Sequence, residues 1–227
     1  MKEFSAFIFE YREHIGFSFF IIATSFVIFL YIRYLKKEHH KLIKFCQEHD
    51  YSLIEKSYNI PNCPYKFSIL TDYDYQGYSK FYDIISGKIS GVDFSVMDFC
   101  YKSGKHYNIY SFWMLTKPNY IITPFYIKPH VKSLFSSSGD DNRIKFIEDK
   151  TFSETFDLIG YDAQQLRKLF NANLRNAFLN CQTANFEYQS ARGYFLILLP
   201  KELDLDKKIK YLNQLINLYL NLLARYK

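Results

Sequence analysis

Residues 15–32 read IGFSFFIIATSFVIFLYI, and residues 33–44, which follow directly, read RYLKKEHHKLIK. The first stretch carries no charge and no strong polar group. Counted to Tyr34 it is twenty residues long, and at ~1.5 Å rise per residue it reaches ~30 Å, the thickness of a bilayer's hydrocarbon layer. The core helix of a soluble domain would show a polar face at 3.6-residue spacing. Here only Ser18, Thr24 and Ser25 are polar, and their hydroxyls can bond back to helix carbonyls. Tyr31 and Tyr34 sit at one end, where amphipathic rings favour the headgroup zone. The stretch therefore reads as a transmembrane helix over 15–34.

The competing reading is a cleaved signal peptide. That would call for a basic start, yet residues 1–14 hold Lys2 and Arg12 against Glu3, Glu10 and Glu13. Ala23-Thr24-Ser25 loosely resembles a cleavage site, but FVIFL carries the apolar run past it. An uncleaved anchor fits better. Beyond it, Arg33, Lys36, Lys37, Lys41 and Lys44 against Glu38 leave a net +4, whereas the preceding tail has net −1. The positive-inside bias then predicts a short tail (1–14) outside and the rest of the chain in the cytoplasm. These five cations are the expected membrane-surface contacts, each worth ~1 kcal/mol beside anionic headgroups. Residues 35–50 lack Gly and Pro and read as a basic juxtamembrane helix with Leu35, Leu42, Ile43 and Cys46 on one side.

The same stretch explains the overall charge. The chain has 227 residues, net charge +6 and 23% charged residues, and with +4 beside the span only about +2 remains elsewhere. No basic domain for nucleic acid follows from that. Aromatics make up 20% and are spread over every segment, which favours core packing over an aromatic-lined ligand pocket. Cys46, Cys63, Cys100 and Cys181 have no paired spacing, as expected of isolated thiols in a reducing compartment.

Residues 51–227 read as a soluble α+β domain. From Phe81 to Lys117 the pattern is β, with turns near Gly87–Gly91 and at Ser103-Gly104-Lys105. Val92, Phe94 and Val96 alternate with Asp93, Ser95 and Met97. Phe99 and Tyr101 then fall on the second face, which predicts either a bulge or a strand covered on both sides. Tyr107–Leu115 would complete a meander and Tyr120–Ile127 is a further strand. After the polar loop Ser136–Asn142, one helix is predicted over Tyr161–Cys181, opened by Asp162 with Gln165 in a capping-box pattern. Phe186–Pro200 reads as a hairpin turned at Ser190–Gly193. A last helix begins near Asp204, with Leu205, Ile209, Leu212, Ile216, Tyr219, Leu223 and Tyr226 at heptad spacing. Leu215, Leu218, Leu220 and Leu222 widen that face, so packing across the sheet is favoured over a coiled-coil dimer. The expected fold is α+β: an N-terminal transmembrane helix, then an antiparallel sheet packed against C-terminal helices.

No motif for chemistry stands out. Cys46 and His49 have C-x₂-H spacing without a second close pair for zinc. Asp72 with Asp74, and Asp140 with Asp141, lie in turn-like contexts that favour Asp for local bonding. There is no G-x-S-x-G, Walker A or G-x-G-x-x-G sequence, and GVDFSVMDF places Asp93 and Asp98 where an RNA-binding strand would avoid them. No catalytic, cofactor-binding or metal-ligating residue is assigned, and no cofactor is expected.

The span, the turn-rich stretch IISGKISGVDFSVMDF and the segment FSETFDLIGYDAQQLRKLFNANLRNAF together resemble a family of uncharacterised bacterial single-span membrane proteins with a small α+β domain of unknown function. The resemblance implies a bacterial inner-membrane protein of the predicted architecture and carries no active residues. Three function classes follow, in order of preference. The first is a membrane-tethered interaction or scaffolding module with the bilayer and an unknown protein as partners; the second a lipid or small-ligand binder; the third an enzyme with a non-local site.

Overall fold

A computed structural model describes residues 2–58, 80–103, 105–130, 142–181, 185–191 and 193–226, with side chains from Phe17 onward. The chain forms two compact units, Met1–His49 and Asp50–Lys227. The first is one unbroken helix, α1 (Lys2–Glu48, 47 residues), ~70 Å long at the usual rise. The residues of the predicted short tail continue the helix without a break. No side chain from Phe17 to Lys37 is buried, so the apolar surface expected of a span is exposed from Phe17 onward. Thr24 Oγ1 donates to the Phe20 carbonyl at 2.8 Å, the back-bonding that lets a hydroxyl sit in an apolar helix. The helix stops where Asp50 adopts a positive φ of 54°, a conformation Asp and Asn tolerate at helix ends.

The second unit is built on a sheet of nine described strands: β1 (Ser52–Ser57), β2 (Lys80–Ile89), β3 (Val92–Ser103), β4 (His106–Thr116), β5 (Phe125–Pro129), β6 (Arg143–Ile144), β7 (Phe156–Ile159), β8 (Glu187–Ala191) and β9 (Tyr194–Leu199). Their spatial order is β1-β2-β3-β4-β9-β8-β5-β7-β6, and every pairing is antiparallel. The β2–β3 turn is Ser90-Gly91, both at positive φ (52° and 75°), as a two-residue type I′ connection requires. Gly87 is inside β2, not in the turn. A Cβ there would lie 2.3 Å from the Tyr51 ring, so the close approach of that ring explains the glycine.

The parity change after Met97 comes from burial on both faces. β3 runs unbroken against β4 from Asp93 to Ser103, with Val96 and Met97 both fully buried on opposite sides. The irregularity lies in β2 instead, between Tyr82 and Ile85, where Asp83 takes φ 48°.

One face of the sheet carries Val96, Asp98, Trp113, Leu115, Phe195 and Ile197 and receives the helices. These are α2 (Lys150–Thr155), α3 (Ala163–Leu169), α4 (Ala172–Asn180) and α5 (Leu205–Leu223). α5 packs on β3 and β4, α4 on α5, and α2 on β7 and α4. α5 buries Leu212, Leu215, Ile216, Leu218, Tyr219, Leu222 and Leu223, which directs its wide apolar face to the sheet. The single helix predicted over Tyr161–Cys181 is two. Asp162 caps the first as expected, accepting from Gln165 N, but the chain breaks at Phe170 and restarts with Asn171 accepting from Leu174 N at 3.1 Å. The carbonyl freed at the break, Phe170 O, accepts from buried Arg175 at 2.8 Å. The strand expected over Tyr120–Ile127 begins later, at Phe125, and includes Pro129.

The aromatic residues interlock. Trp113, Phe186, Tyr188, Phe178 and Phe170 follow one another at ring separations of 5.0–6.1 Å, and Phe195 stacks on Tyr219 at 5.6 Å. The opposite face is also buried, with Phe81, Met97, Phe99, Phe112, Leu196 and Leu198 in one cluster. The chain is thus α+β, an N-terminal apolar helix followed by an antiparallel sheet with helices against it.

Candidate functional site

The five cations read as membrane-surface contacts, Arg33, Lys36, Lys37, Lys41 and Lys44, are all exposed on α1. At about 100° per residue they fall within an arc of about 140°, with Leu35, Leu42 and Cys46 on the far side. Lys41 bonds Glu38 at 2.7 Å and Lys44 approaches Glu48 at 3.6 Å. His49 Nδ1 sits 3.0 Å from the Phe45 carbonyl, which accounts for that histidine locally. Among the described residues no group of three His, Cys, Asp or Glu is arranged for a metal. Cys46, Cys100 and Cys181 are free thiols. Cys63 and the pairs Asp72/Asp74 and Asp140/Asp141 lie outside the described residues.

Among the described residues, clefts open on both faces of the sheet. The first, about 580 Å³, lies across β1, β2, β3, β4 and β9. Its floor presents the hydroxyls of Ser52, Ser86, Ser95 and Thr116 beside Met114 and Tyr194. Ser86 and Ser95 share a 2.7 Å hydrogen bond, and Thr116 donates to the Gly193 carbonyl.

The second cleft, about 490 Å³, is on the helix face, where β2, β3 and β4 run past α5. Cross-strand register sets its floor: Tyr82 opposite Asp98, and Cys100 opposite Ile109. Asp83, in the β2 irregularity, and Glu202 complete an acidic rim. Glu202 is fixed from both sides, because Ser111 N donates to the Lys201 carbonyl (3.1 Å) and Leu203 N donates to Ser111 Oγ (3.0 Å).

Beneath the rim lies a buried ion pair. Lys208, in the first turn of α5, donates from Nζ to Asp98 Oδ2 at 2.6 Å, and both residues are under 10% exposed. Asp98 Oδ1 has no hydrogen-bond partner among the described residues. Burial pushes the Asp98 carboxyl up to about 6 against the pull of the Lys208 ammonium, and the charges of Asp83 and Glu202 add to the rise. The neighbouring Trp113 indole N–H donates to the Lys208 carbonyl at 3.3 Å, so the chain's single Trp reports on this junction.

Read from the sequence, Asp98 is only a charge unsuited to an RNA-binding strand. Lys208 lies 110 positions away, and its place on an otherwise apolar α5 face was the one signal that could have found the pair.

No family model and no curated protein matches the sequence. A solved structure with a similar fold is the mycobacterial trehalose monomycolate transport factor A, TtfA, at TM-score 0.53 and 10% identity, covering 81% of this chain and 95% of that one. At that identity the likeness is one of fold.

Proposed function

We propose that this chain is a single-pass protein of a bacterial inner membrane whose domain works as an interaction or scaffolding module at the cytoplasmic surface. The observation that carries this is the pairing of an outward-facing apolar helix, zoned into an apolar span and a basic arc, with a domain whose aromatic residues fill its own core. The helix fixes the domain's local concentration at the bilayer, which favours weak contacts with other membrane-bound proteins. The resemblance to uncharacterised bacterial single-span proteins agrees with this reading.

Carbonate extraction of native membranes tests the anchor, and cross-linking followed by affinity purification tests the module. The expected result is a carbonate-resistant protein that brings down a specific membrane-associated partner. Extraction into the soluble fraction, or purification of the chain alone from cross-linked membranes, would sink the proposal.

A second reading, a lipid or small-ligand binder, is favoured by the hydroxyl-lined cleft at Ser52, Ser86, Ser95 and Thr116. The fold neighbour TtfA is a trehalose monomycolate transport factor, and a ligand-binding role here is compatible with that. Co-purifying lipid lost on Ser95→Leu would support it, and an empty, lipid-free preparation would count against it.

A further inference from the structure

The acidic cleft offers a specific kind of contact that the proposed function does not name. Its floor is split into an apolar part and a charged part. Tyr107 (66% exposed) and Ile109 (39%) leave aromatic and aliphatic surface open to solvent. Next to them stand the carboxylates of Asp83 and Glu202 and the ring of Tyr82. A long side chain with a methylene stem and a cationic head matches such a split, the stem on the apolar part and the head among the carboxylates.

A second, independent feature points to a donor arriving from outside. Asp98 is 8% exposed, lines the cleft and, among the described residues, keeps Oδ1 without a hydrogen-bond partner while Oδ2 is held by Lys208. Buried carboxylate oxygens are normally satisfied, because one left bare gives up its hydration for nothing. An N–H donor entering the cleft would reach it by displacing the side chains that cover it. Of the neighbouring cations, Lys80 has its Nζ over the Tyr58 ring at 5.7 Å, Lys102 has its Nζ 6.0 Å from the Tyr107 ring, and Lys208 is committed to Oδ2. The rim is also preorganised, since both neighbours of Glu202 are tied to Ser111.

We infer that this cleft is a docking site for a lysine or arginine side chain presented by a protein partner, with Asp83, Glu202 and Asp98 Oδ1 receiving the cationic head and Tyr107 and Ile109 its stem. The inference rests on the interaction-module reading and names where such a partner is held. A protein-borne side chain fits better than a free amine because the apolar surface of Tyr107 and Ile109 extends outward from the cleft, where a peptide backbone would lie.

The test uses the full chain in phosphatidylcholine nanodiscs, which offer a basic peptide no anionic lipid. Gly/Ser peptides carrying lysine are titrated by calorimetry and by Trp113 emission, beside the same peptides with acetyl-lysine, and beside cadaverine as the free amine. The expected result is saturable binding of the lysine peptide, little of the acetylated one, and a weakening of about tenfold or more in Asp83→Asn/Glu202→Gln, equivalent to about 1.4 kcal/mol. Those two positions are solvent-reaching, and an unchanged thermal midpoint shows that the variant folds. Equal binding of the acetylated peptide, equal binding of cadaverine, or full binding by the folded variant would overturn the inference. A partner still captured from membranes by the double variant would remove this site while leaving the module reading intact.

Discussion

Asp98 and Lys208 set the terms at the scale of single residues. The pair joins β3 to the first turn of α5 at 2.6 Å, and both side chains are nearly out of solvent. Removing one member of a buried pair strands the other charge, at a cost of about 3–5 kcal/mol, whereas replacing both by apolar residues is often neutral or better. Lys208→Met is therefore expected to lower stability by about that amount at pH 7, and Asp98→Leu/Lys208→Met to recover most of it. The pH dependence separates this from a simple packing defect. The folded Asp98 carboxyl sits near 6, above its ordinary 3.8, because burial disfavours its charge. Folding thus takes up a proton between those values. The stabilisation this gives is full below about pH 4 and is lost as the pH rises through about 6, a swing of about 3 kcal/mol. Urea unfolding of the full chain followed by Trp113 emission should show Asp98→Asn flattening that slope and Lys208→Met recovering towards pH 5. A slope unchanged in Asp98→Asn would assign it to other groups.

Among the elements, the break between α3 and α4 is the most informative. Leu166, Phe170, Leu174 and Phe178 keep helical spacing across it and all are buried, so periodicity alone reads one helix. Asn171 was the contrary signal, a good N-cap residue in the middle of the run. The break holds because Asn171 Oδ1 takes the Leu174 N–H and Arg175 takes the orphaned Phe170 carbonyl, while also pairing with Asp149 at 2.7 Å and lying 4.4 Å from the Phe146 ring centre. Asn171→Ala removes the cap and is expected to cost about 1 kcal/mol, read as a lower urea midpoint with an unchanged slope. A midpoint at or above the parent's would mean the two helices fuse without penalty. Elements with local causes were legible in the same way: the hairpins at Ser90-Gly91 and before Tyr194, and the Asp204 cap of α5. What was not legible is non-local. The β4–β9 pairing joins Trp113 to Ile197, no short-range pattern marks β7, and the acidic cleft needs Tyr82, Asp98, Ile109 and Glu202 from four separate stretches.

For the whole molecule, charge placement sets the expected orientation. The +4 after the apolar run and the −1 before it differ by five charges over a short distance, and loops within about 15–20 residues of a span are the ones that count. This bias acts during insertion, so it can be redirected without touching the folded domain. An alkaline-phosphatase fusion at Lys227 is expected to be inactive and a fluorescent-protein fusion bright, placing the domain in the cytoplasm. Changing Arg33, Lys36, Lys37, Lys41 and Lys44 to Gln while adding lysines before Phe17 should invert the result in a sizeable fraction of molecules. Each cation placed beside anionic headgroups is expected to add ~1 kcal/mol to the hold of the α1 arc on the surface. The Gln variant should therefore bring the juxtamembrane segment off anionic nanodiscs, seen as a loss of salt-sensitive protection of residues 35–48 in hydrogen exchange. Phosphatase activity from the parent fusion would reverse the orientation and, with it, the compartment in which the acidic cleft meets a partner.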